Sequence, residues 1–258
     1  PLADILRIGA YQILFLDKIP VSAAVNEAVE QTKTYANKRA AGLVNGSLRT
    51  LARRRDELVQ PHDLATKYSH PQPLVDCLRA SMDDETLEAF LAADNDIPKT
   101  ALQVNPLKAA PEQVAAALDE AGVAYEPHPW LHGCFLVSGT GNLEALPLFQ
   151  SGAVCVQDAA AKLAVLASGA APGMRVLDCC AAPGGKSFAA AMQMENTGSI
   201  LSCDLHPHKI ALIEKNAARL GITILKAEQR NAAEFDPALE GSFDLVIADV
   251  PCSGLGVI

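Results

Sequence analysis

Residues 146–258 predict a doubly wound parallel α/β domain, preceded by an all-α module over 1–61 and a small α+β connector over 62–145. Three observations predict this arrangement. Over the last hundred residues, apolar runs of strand length alternate with amphipathic helical stretches. The first 55 residues show helical spacing and no strand signal, and the stretch between mixes short helices with short strands. Half the chain is hydrophobic, which suffices for sizeable cores, and 5% aromatics leaves the packing to Leu, Val, Ile and Ala.

In the first module, Ile5, Leu6, Ile8, Ile13, Leu14 and Leu16 fall at roughly helical spacing through Tyr11, up to a break at 17–20. Ser22 is placed to cap a second helix, with Val25, Ala28 and Val29 on one face and Asn26, Glu27 and Glu30 on the other. A third helix over 38–54 turns Leu43, Val44, Leu48 and Leu51 inward and ends in Arg53-Arg54-Arg55. The connector reads as helices over 73–80 and 83–93, a strand over 100–105, a proline-started helix over 111–121 and a strand over 134–137. In the last domain, 154–166 is helical in its second half. Strands follow over 175–179, 199–203, 222–225 and 245–248, with helices from about 185 and over 207–220.

The formal net charge of −9 argues against a protein that coats nucleic acid unspecifically. The charge is uneven: residues 1–60 carry nine Lys/Arg against six Asp/Glu, which leaves twelve against twenty-four for the remainder. That asymmetry suits one nucleic-acid-facing end and one catalytic end. The seven cysteines (Cys77, Cys134, Cys155, Cys179, Cys180, Cys203 and Cys252) form no C-x-x-C pair and no zinc spacing, so no metal is expected. An odd cysteine count without a signal peptide fits the reducing cytoplasm, and no apolar run reaches membrane-span length. The chain opens at Pro1 rather than Met, so a trimmed start is expected.

Two stretches carry chemistry. In Val176–Lys186 an apolar strand runs into Cys179-Cys180-Ala181-Ala182-Pro183-Gly184-Gly185-Lys186 and a helix begins. Small residues and glycines let backbone approach a ligand closely, and the helix start offers unpaired N–H groups. The spacing is neither the G-x-G-x-x-G dinucleotide turn nor a Walker loop. Asp204 follows 26 residues after Asp178, at the end of the second strand, where an acid can accept from both ribose hydroxyls of an adenosine ligand. The bland alternative is a tight strand–helix turn with no ligand. The second stretch is Asp249-Val250-Pro251-Cys252-Ser253-Gly254, which sets a carboxylate and a thiol at the carboxyl end of a strand, the edge where open α/β sheets bind ligands. A lone cysteine is usually an ordinary buried one; beside Asp249 and Pro251 at a strand end, function outweighs that reading.

With these residues in view, the chain resembles the Sun/Fmu family of ribosomal RNA cytosine C5-methyltransferases. D-C-C-A-A-P-G-G-K is similar to that family's cofactor motif and D-V-P-C-S-G-L-G-V-I to its Pro-Cys motif. D-I-L-R-I-G-A-Y-Q-I-L-F-L, A-A-V-N-E-A-V-E and A-A-G-L-V-N-G-S-L-R resemble its RNA-binding domain, which is like antitermination factor NusB. L-Q-V-N and F-Q-S-G-A-V-C-V-Q-D fit the connector. The resemblance implies a Rossmann-like methyltransferase domain, S-adenosyl-L-methionine as cofactor and small-subunit (16S) ribosomal RNA as partner. It implies that Cys180, Ala181, Ala182, Pro183, Gly184, Gly185 and Lys186 line the methionine and ribose portion, that Asp204 holds the ribose and that Asp249 lies between cofactor and target base. Asn231 stands where the family usually has Asp near the adenine; its carbonyl can still accept from the adenine amino group. Lys33, Lys38, Arg39, Arg49, Arg53, Arg54 and Arg55 are the implied RNA contacts, with solvated helix faces as the plainer reading.

The implied chemistry is covalent. A thiolate adds to C6 of an unstacked cytosine, C5 attacks the methyl group, a base takes the C5 proton and the thiolate leaves. In the RNA family the attacking cysteine sits in a later Thr-Cys pair and the Pro-Cys cysteine helps release product. The sequence contains no Thr-Cys, so Cys252 takes the release role beside Asp249. The methyltransferase domain is then expected to be incomplete at Ile258, to bind cofactor weakly or not at all and to be inactive alone, with strand 243–248 as a bare edge. Two rival readings are a non-catalytic RNA-binding module of the antitermination type and a small-molecule methyltransferase or nucleotide-binding oxidoreductase. Asp204, Asp249 and Cys252 speak against the first, and the Pro-Cys motif with its α-helical module against the second.

Overall fold

The computed structural model describes residues 1–59 and 61–252. Backbone contacts divide the chain into two compact units, Pro1–Asp96 and Ile97–Ile258.

In the first unit, α1 (Leu2–Phe15), α2 (Val21–Tyr35) and α3 (Ala41–Arg53) bury Ile5, Ile13, Val25, Ala28, Val44 and Leu48 against one another. Gly9 permits the close approach of α1 to α3, since a Cβ there would lie 2.7 Å from Leu48 Cδ1. Two details differ from expectation. No side chain caps α2, which begins at Val21 behind Pro20, so Ser22 falls inside the first turn. Leu43 is 61% exposed; one helical step of about 100° carries it off the stripe that Val44, Leu48 and Leu51 share. Next, α4 (Leu64–Lys67), α5 (Gln72–Arg79) and α6 (Asp84–Asp94) gather Ala65, Val75, Leu87 and Leu91 into a second cluster. Asp63 and Asp83 cap α4 and α6 by accepting from the N–H groups of Thr66 and Thr86, 2.8 Å each.

The second unit holds two sheets. In the first, β1 (Thr100–Val104), β2 (Ala124–Pro127), β3 (Cys134–Ser138) and β4 (Val154–Val156) pair antiparallel in the order β2-β3-β1-β4. On it, α7 (Pro111–Glu120) buries Val114 and Leu118, and α8 (Pro147–Gln150) leads into β4. β2 and β4 lie at the edges and are too short for their alternation to read as strand from sequence. In the second sheet, β5 (Arg175–Asp178), β6 (Ser199–Asp204), β7 (Leu225–Gln229) and β8 (Leu245–Ile247) pair parallel in the order β7-β6-β5-β8. With it pack α9 (Ala159–Ala167), α10 (Gly185–Gln193) and α11 (Pro207–Leu220). Val176, Ile200, Ile213 and Leu220 are fully buried in this core, each contributing about 1.5–3 kcal/mol.

The third strand of this sheet runs over Leu225–Gln229, not the expected 222–225. Gly221 ends α11 in the left-handed region at φ 75°, and buried Ile222 folds back with its N–H on Ala217 O, so it closes the helix instead of starting the strand. The strand itself is Leu-Lys-Ala-Glu-Gln, polar because it is an edge. On the far side β8 pairs with β5 alone among the described residues, and Val246 is 55% exposed.

A polar clasp joins the two sheets. Asn105 Nδ2 donates to Gly152 O (2.9 Å) and Leu220 O (2.8 Å), and Lys108 Nζ to Ser151 O (2.7 Å) and Arg219 O (2.6 Å). Arg219 Nη1 donates to Phe149 O (2.6 Å) and Val154 O (3.1 Å), with its guanidinium 3.9 Å above the Phe149 ring. Among the described residues no helix is long and apolar enough to cross a membrane.

Candidate active site

The strand order reverses at β5: the chain steps from β5 out to β6 and β7, then returns to β8 on the other side. Carboxyl ends of strands at such a switch point form the ligand crevice of open α/β sheets. The turn after β5 is pinned to both neighbours. Cys179 N–H donates to Ile247 O (2.9 Å) and Ala181 N–H to Cys203 O (2.8 Å), while Gly184 N–H closes the turn on Ala181 O (2.6 Å). Gly184, at φ 109°, must be glycine, since a Cβ there would overlap the Phe188 ring. As N-cap of α10 it brings no side-chain oxygen, so the first amides of the helix have no side-chain cap.

Asp178 closes β5 and is only 1% exposed. Its Oδ2 accepts from Ser187 Oγ at 2.7 Å, and Ser202 Oγ donates to Ser187 Oγ at 2.7 Å, while its Oδ1 is buried without a partner. Burial pushes the Asp178 carboxyl above the usual carboxylate range, and the Ser187 hydroxyl pulls it partly back. A cavity of about 180 Å³ opens above it, lined among others by Gln157, Asp178, Cys180, Lys186 and Asp249. Across it Lys186 Nζ donates to Asp249 Oδ2 at 2.5 Å, which ties the start of α10 to the segment after β8.

Cys180, Ala181, Ala182, Pro183, Gly185, Lys186 and Asp249 thus line one cavity. Gly184 is not in that lining and serves the turn behind it. Asp204, buried at the end of β6, accepts from His206 N–H (3.1 Å) and lies 3.6 Å from Lys209 Nζ, both on Oδ1. Asn231 follows β7 and builds its own turn, its amide donating to Glu234 (2.8 Å) and its carbonyl accepting from Ala233 N–H (3.1 Å). It borders a larger cleft of about 760 Å³, whose floor is Leu177, Cys179 and Cys203. Cys252 is exposed, and Ser253–Ile258 of the Pro-Cys stretch lie outside the described residues.

Three thiols of the second unit are poor nucleophiles. Burial pushes Cys203 and Cys155 up to about 11, and burial together with Asp204, Asp178 and Asp249 raises Cys180. Native iodoacetamide labelling at pH 8 followed by peptide mass spectrometry is expected to modify exposed Cys77 and spare Cys155 and Cys203. Labelling of Cys203 as fast as Cys77 would show that this sheet face opens in solution. All seven basic residues singled out in the first module are exposed, and Lys33, Arg54 and Arg55 have acidic neighbours in Glu30, Glu57 and Asp56. Two features escaped the sequence reading, the Ser202–Ser187–Asp178 chain and Gln157. Gln157 stands out in sequence only as a polar residue between an apolar run and the Asp158 cap of α9.

Comparison with known proteins places these elements. Residues 166–258 match the family 16S rRNA methyltransferase RsmB/F, residues 2–53 the NusB family, and residues 70–144 the ferredoxin-like domain of RsmF/B-like methyltransferases. The chain is 38% identical, over 99% of its length, to the probable ribosomal RNA small subunit methyltransferase B of Bacillus subtilis, covering 58% of that protein. It is 31% identical to ribosomal RNA small subunit methyltransferase B of Escherichia coli, over 98% of this chain and 59% of that protein. The solved structure of PH0851 superposes on all of this chain and 59% of its own, with TM-score 0.82 and 26% identity. NSun6 from Pyrococcus horikoshii shares the fold at TM-score 0.65 and 17% identity, over 72% of this chain and 71% of that one. The chain spans a little under three-fifths of the length of the curated relatives it matches. An all-α NusB-type module, a ferredoxin-like sheet and a Rossmann-like sheet with the turn after β5 follow one another along the chain, each over the segment its family model matches, so the chain is similar, segment by segment, to RsmB/F 16S rRNA methyltransferases.

Proposed function

We propose that the chain forms the RNA-binding and cofactor-binding part of an S-adenosylmethionine-dependent enzyme that methylates C5 of cytosine in small-subunit ribosomal RNA, in the cytoplasm. Residues 1–61 serve as the RNA-binding module, 62–145 as the connector and 146–258 as the methyl-transfer domain. The observation that carries this reading is the small-residue turn over the end of β5, with Lys186 and Asp249 paired across the cavity it opens. The fit to an adenosyl ligand rests on the buried, unpartnered Oδ1 of Asp178, on uncapped amides at the start of α10 and on a buried acid, Asp204, one strand away.

When bound, the cofactor supplies a methyl group on a sulfonium, already electrophilic. The chain's own residues then position and hold protons. Cys180 to Lys186 present backbone to the ligand, Asp204 accepts from the ribose hydroxyls, and Asn231, with one carbonyl lone pair left over from its turn, accepts from the adenine amino group. Asp249, oriented by Lys186, hydrogen-bonds the cytosine edge and favours its protonation as a thiolate adds to C6. Cys252 serves product release. The attacking thiol is not among the seven cysteines, so residues 1–258 by themselves transfer no methyl group.

The test is transfer of tritium from methyl-labelled S-adenosylmethionine to small-subunit ribosomal RNA by the intact protein, with nucleoside analysis. 5-Methylcytidine is the expected product. Asp249→Asn is expected to lower the rate at least about 100-fold, with an unchanged melting temperature, because the group is exposed and acts on the reacting base. A methyl group found on ribose or on an exocyclic amine, or full activity in Asp249→Asn, would overturn the reading.

A further inference from the structure

Trp130 is the single tryptophan of the sequence and is 72% exposed. It lies between β2 and β3, in the run His128-Pro129-Trp130-Leu131-His132-Gly133. An exposed apolar side chain is ordinary by itself. This one stands apart because the backbone beneath it is fixed.

Pro127 and Pro129 set φ on either side of His128. His128 N–H donates to Cys134 O (2.8 Å), Cys134 N–H to Leu131 O (3.2 Å) and Val104 N–H, from β1, to Gly133 O (2.8 Å). Leu131 is buried, so its side chain anchors the loop. Trp130 N–H donates to His128 Nδ1 (3.4 Å), and the His128 and Trp130 rings meet edge to face, their centroids 4.9 Å apart at 87°. The indole N–H has no hydrogen-bond partner among the described residues. The indole is thus offered to solvent in a braced orientation, with little freedom left to lose on binding.

His128 and Leu131, on either side of Pro129-Trp130, line a recess of about 270 Å³ together with Pro111, Glu112, Ala115 and Pro127. Small-molecule sites run to about 300–1,000 Å³, so this recess suits part of a polymer better than a free ligand. A tryptophan that anchors a protein partner sits at the centre of a patch that excludes water. The recess beside Trp130 instead carries the polar Glu112, His128 and His132. A nucleobase asks less, namely a flat aromatic face with an open approach. We propose that Trp130 is a stacking platform for an unpaired base of the RNA on which this protein acts, with His128 bracing the indole. The proposal rests on the RNA methyltransferase reading above. Glu112 at the recess disfavours a phosphate, so stacking rather than charge supplies the contact.

The test measures binding of a labelled single-stranded oligocytidylate of about 12 nucleotides to the intact protein by fluorescence anisotropy, with a perfect RNA duplex of the same length beside it. Trp130→Ala is expected to weaken the single strand about tenfold, at about 50 mM and about 200 mM salt alike, since stacking releases no counterions. Trp130→Phe, which keeps an aromatic face, is expected to stay within about threefold of wild type, and Trp130→Leu, apolar without such a face, to fall with Ala. The duplex, whose bases are already stacked, is expected to bind all four proteins equally. The single strand is also expected to quench the Trp130 emission, read as wild type minus Trp130→Phe. Wild-type affinity in Trp130→Ala, rescue by Leu as full as by Phe, or an equal loss for the duplex would overturn the platform and leave the methyltransferase reading intact; rescue by Leu would mark an apolar contact of the kind a protein partner makes. Failure of wild type to bind the single strand would overturn the platform as well, and the tritium-transfer assay on the same preparation tells whether the methyltransferase reading falls with it.

Discussion

Gly184→Val lowers the melting temperature of the protein by about 10 °C in our expectation, the largest effect foreseen for a single methyl-scale change in this chain. At φ 109° the backbone is in the left-handed region, where a β-branched residue is strained by about 1–3 kcal/mol. The new side chain would also enter the Phe188 ring, which is buried in the core of the second sheet and has nowhere to retreat. Overpacking of that kind adds about 1–3 kcal/mol. For a folding unit of this size each kcal/mol shifts the midpoint by about 2–4 °C, which gives the figure. Scanning calorimetry checks it. A shift below about 3 °C would mean that the turn after β5 relaxes freely, which its three backbone bonds to Ile247, Cys203 and Ala181 argue against. Gly184→Ala should fall between, because its smaller side chain shares the strain and touches less of the ring.

Asn105→Leu is expected to cost about 3 kcal/mol, nearly as much, though no residue of the cavity touches position 105 in the arrangement described. The Asn105 amide donates to Gly152 O and Leu220 O, and its carbonyl accepts from Leu107 N–H at 3.1 Å. The residue is fully buried. Leucine fills much the same volume and satisfies none of the three groups, each of which then bears about 1 kcal/mol or more of unpaired desolvation. Urea unfolding reads the loss directly. A destabilisation under about 1 kcal/mol would show that water reaches the freed carbonyls.

The architecture was legible in sequence wherever period and burial agree. The strand–turn–helix of 175–193 shows itself because Val176 and Asp178 face the core, Gly184 sits where φ must be positive and the helix that follows is buried along its length. The acids at 204 and 249 were legible as strand-end residues for the same reason. Legibility failed at edges and in long-range polar contacts. Leu225–Gln229 hides because an edge strand has no apolar signature, while the apolar Ile222 beside it belongs to the end of a helix. Leu43 misleads because one extra apolar residue beside a stripe looks like part of it. Gln157 and Asn105 are invisible to periodicity: their importance lies in partners 54 and 115 residues away in the chain. The Ser202–Ser187–Asp178 chain is hidden in the same way, since three small polar residues on different elements look like surface until the sheet brings them together.

The clasp of Asn105, Lys108 and Arg219 carries a mechanical consequence. Its bonds end on backbone carbonyls, which cannot swing away as side chains do, and the stacked Phe149 ring blocks sliding in the remaining direction. The antiparallel sheet and the parallel sheet therefore act as one solid caliper. Strain applied to one sheet is passed to the other, with no hinge between Asn105 and Leu220 to absorb it.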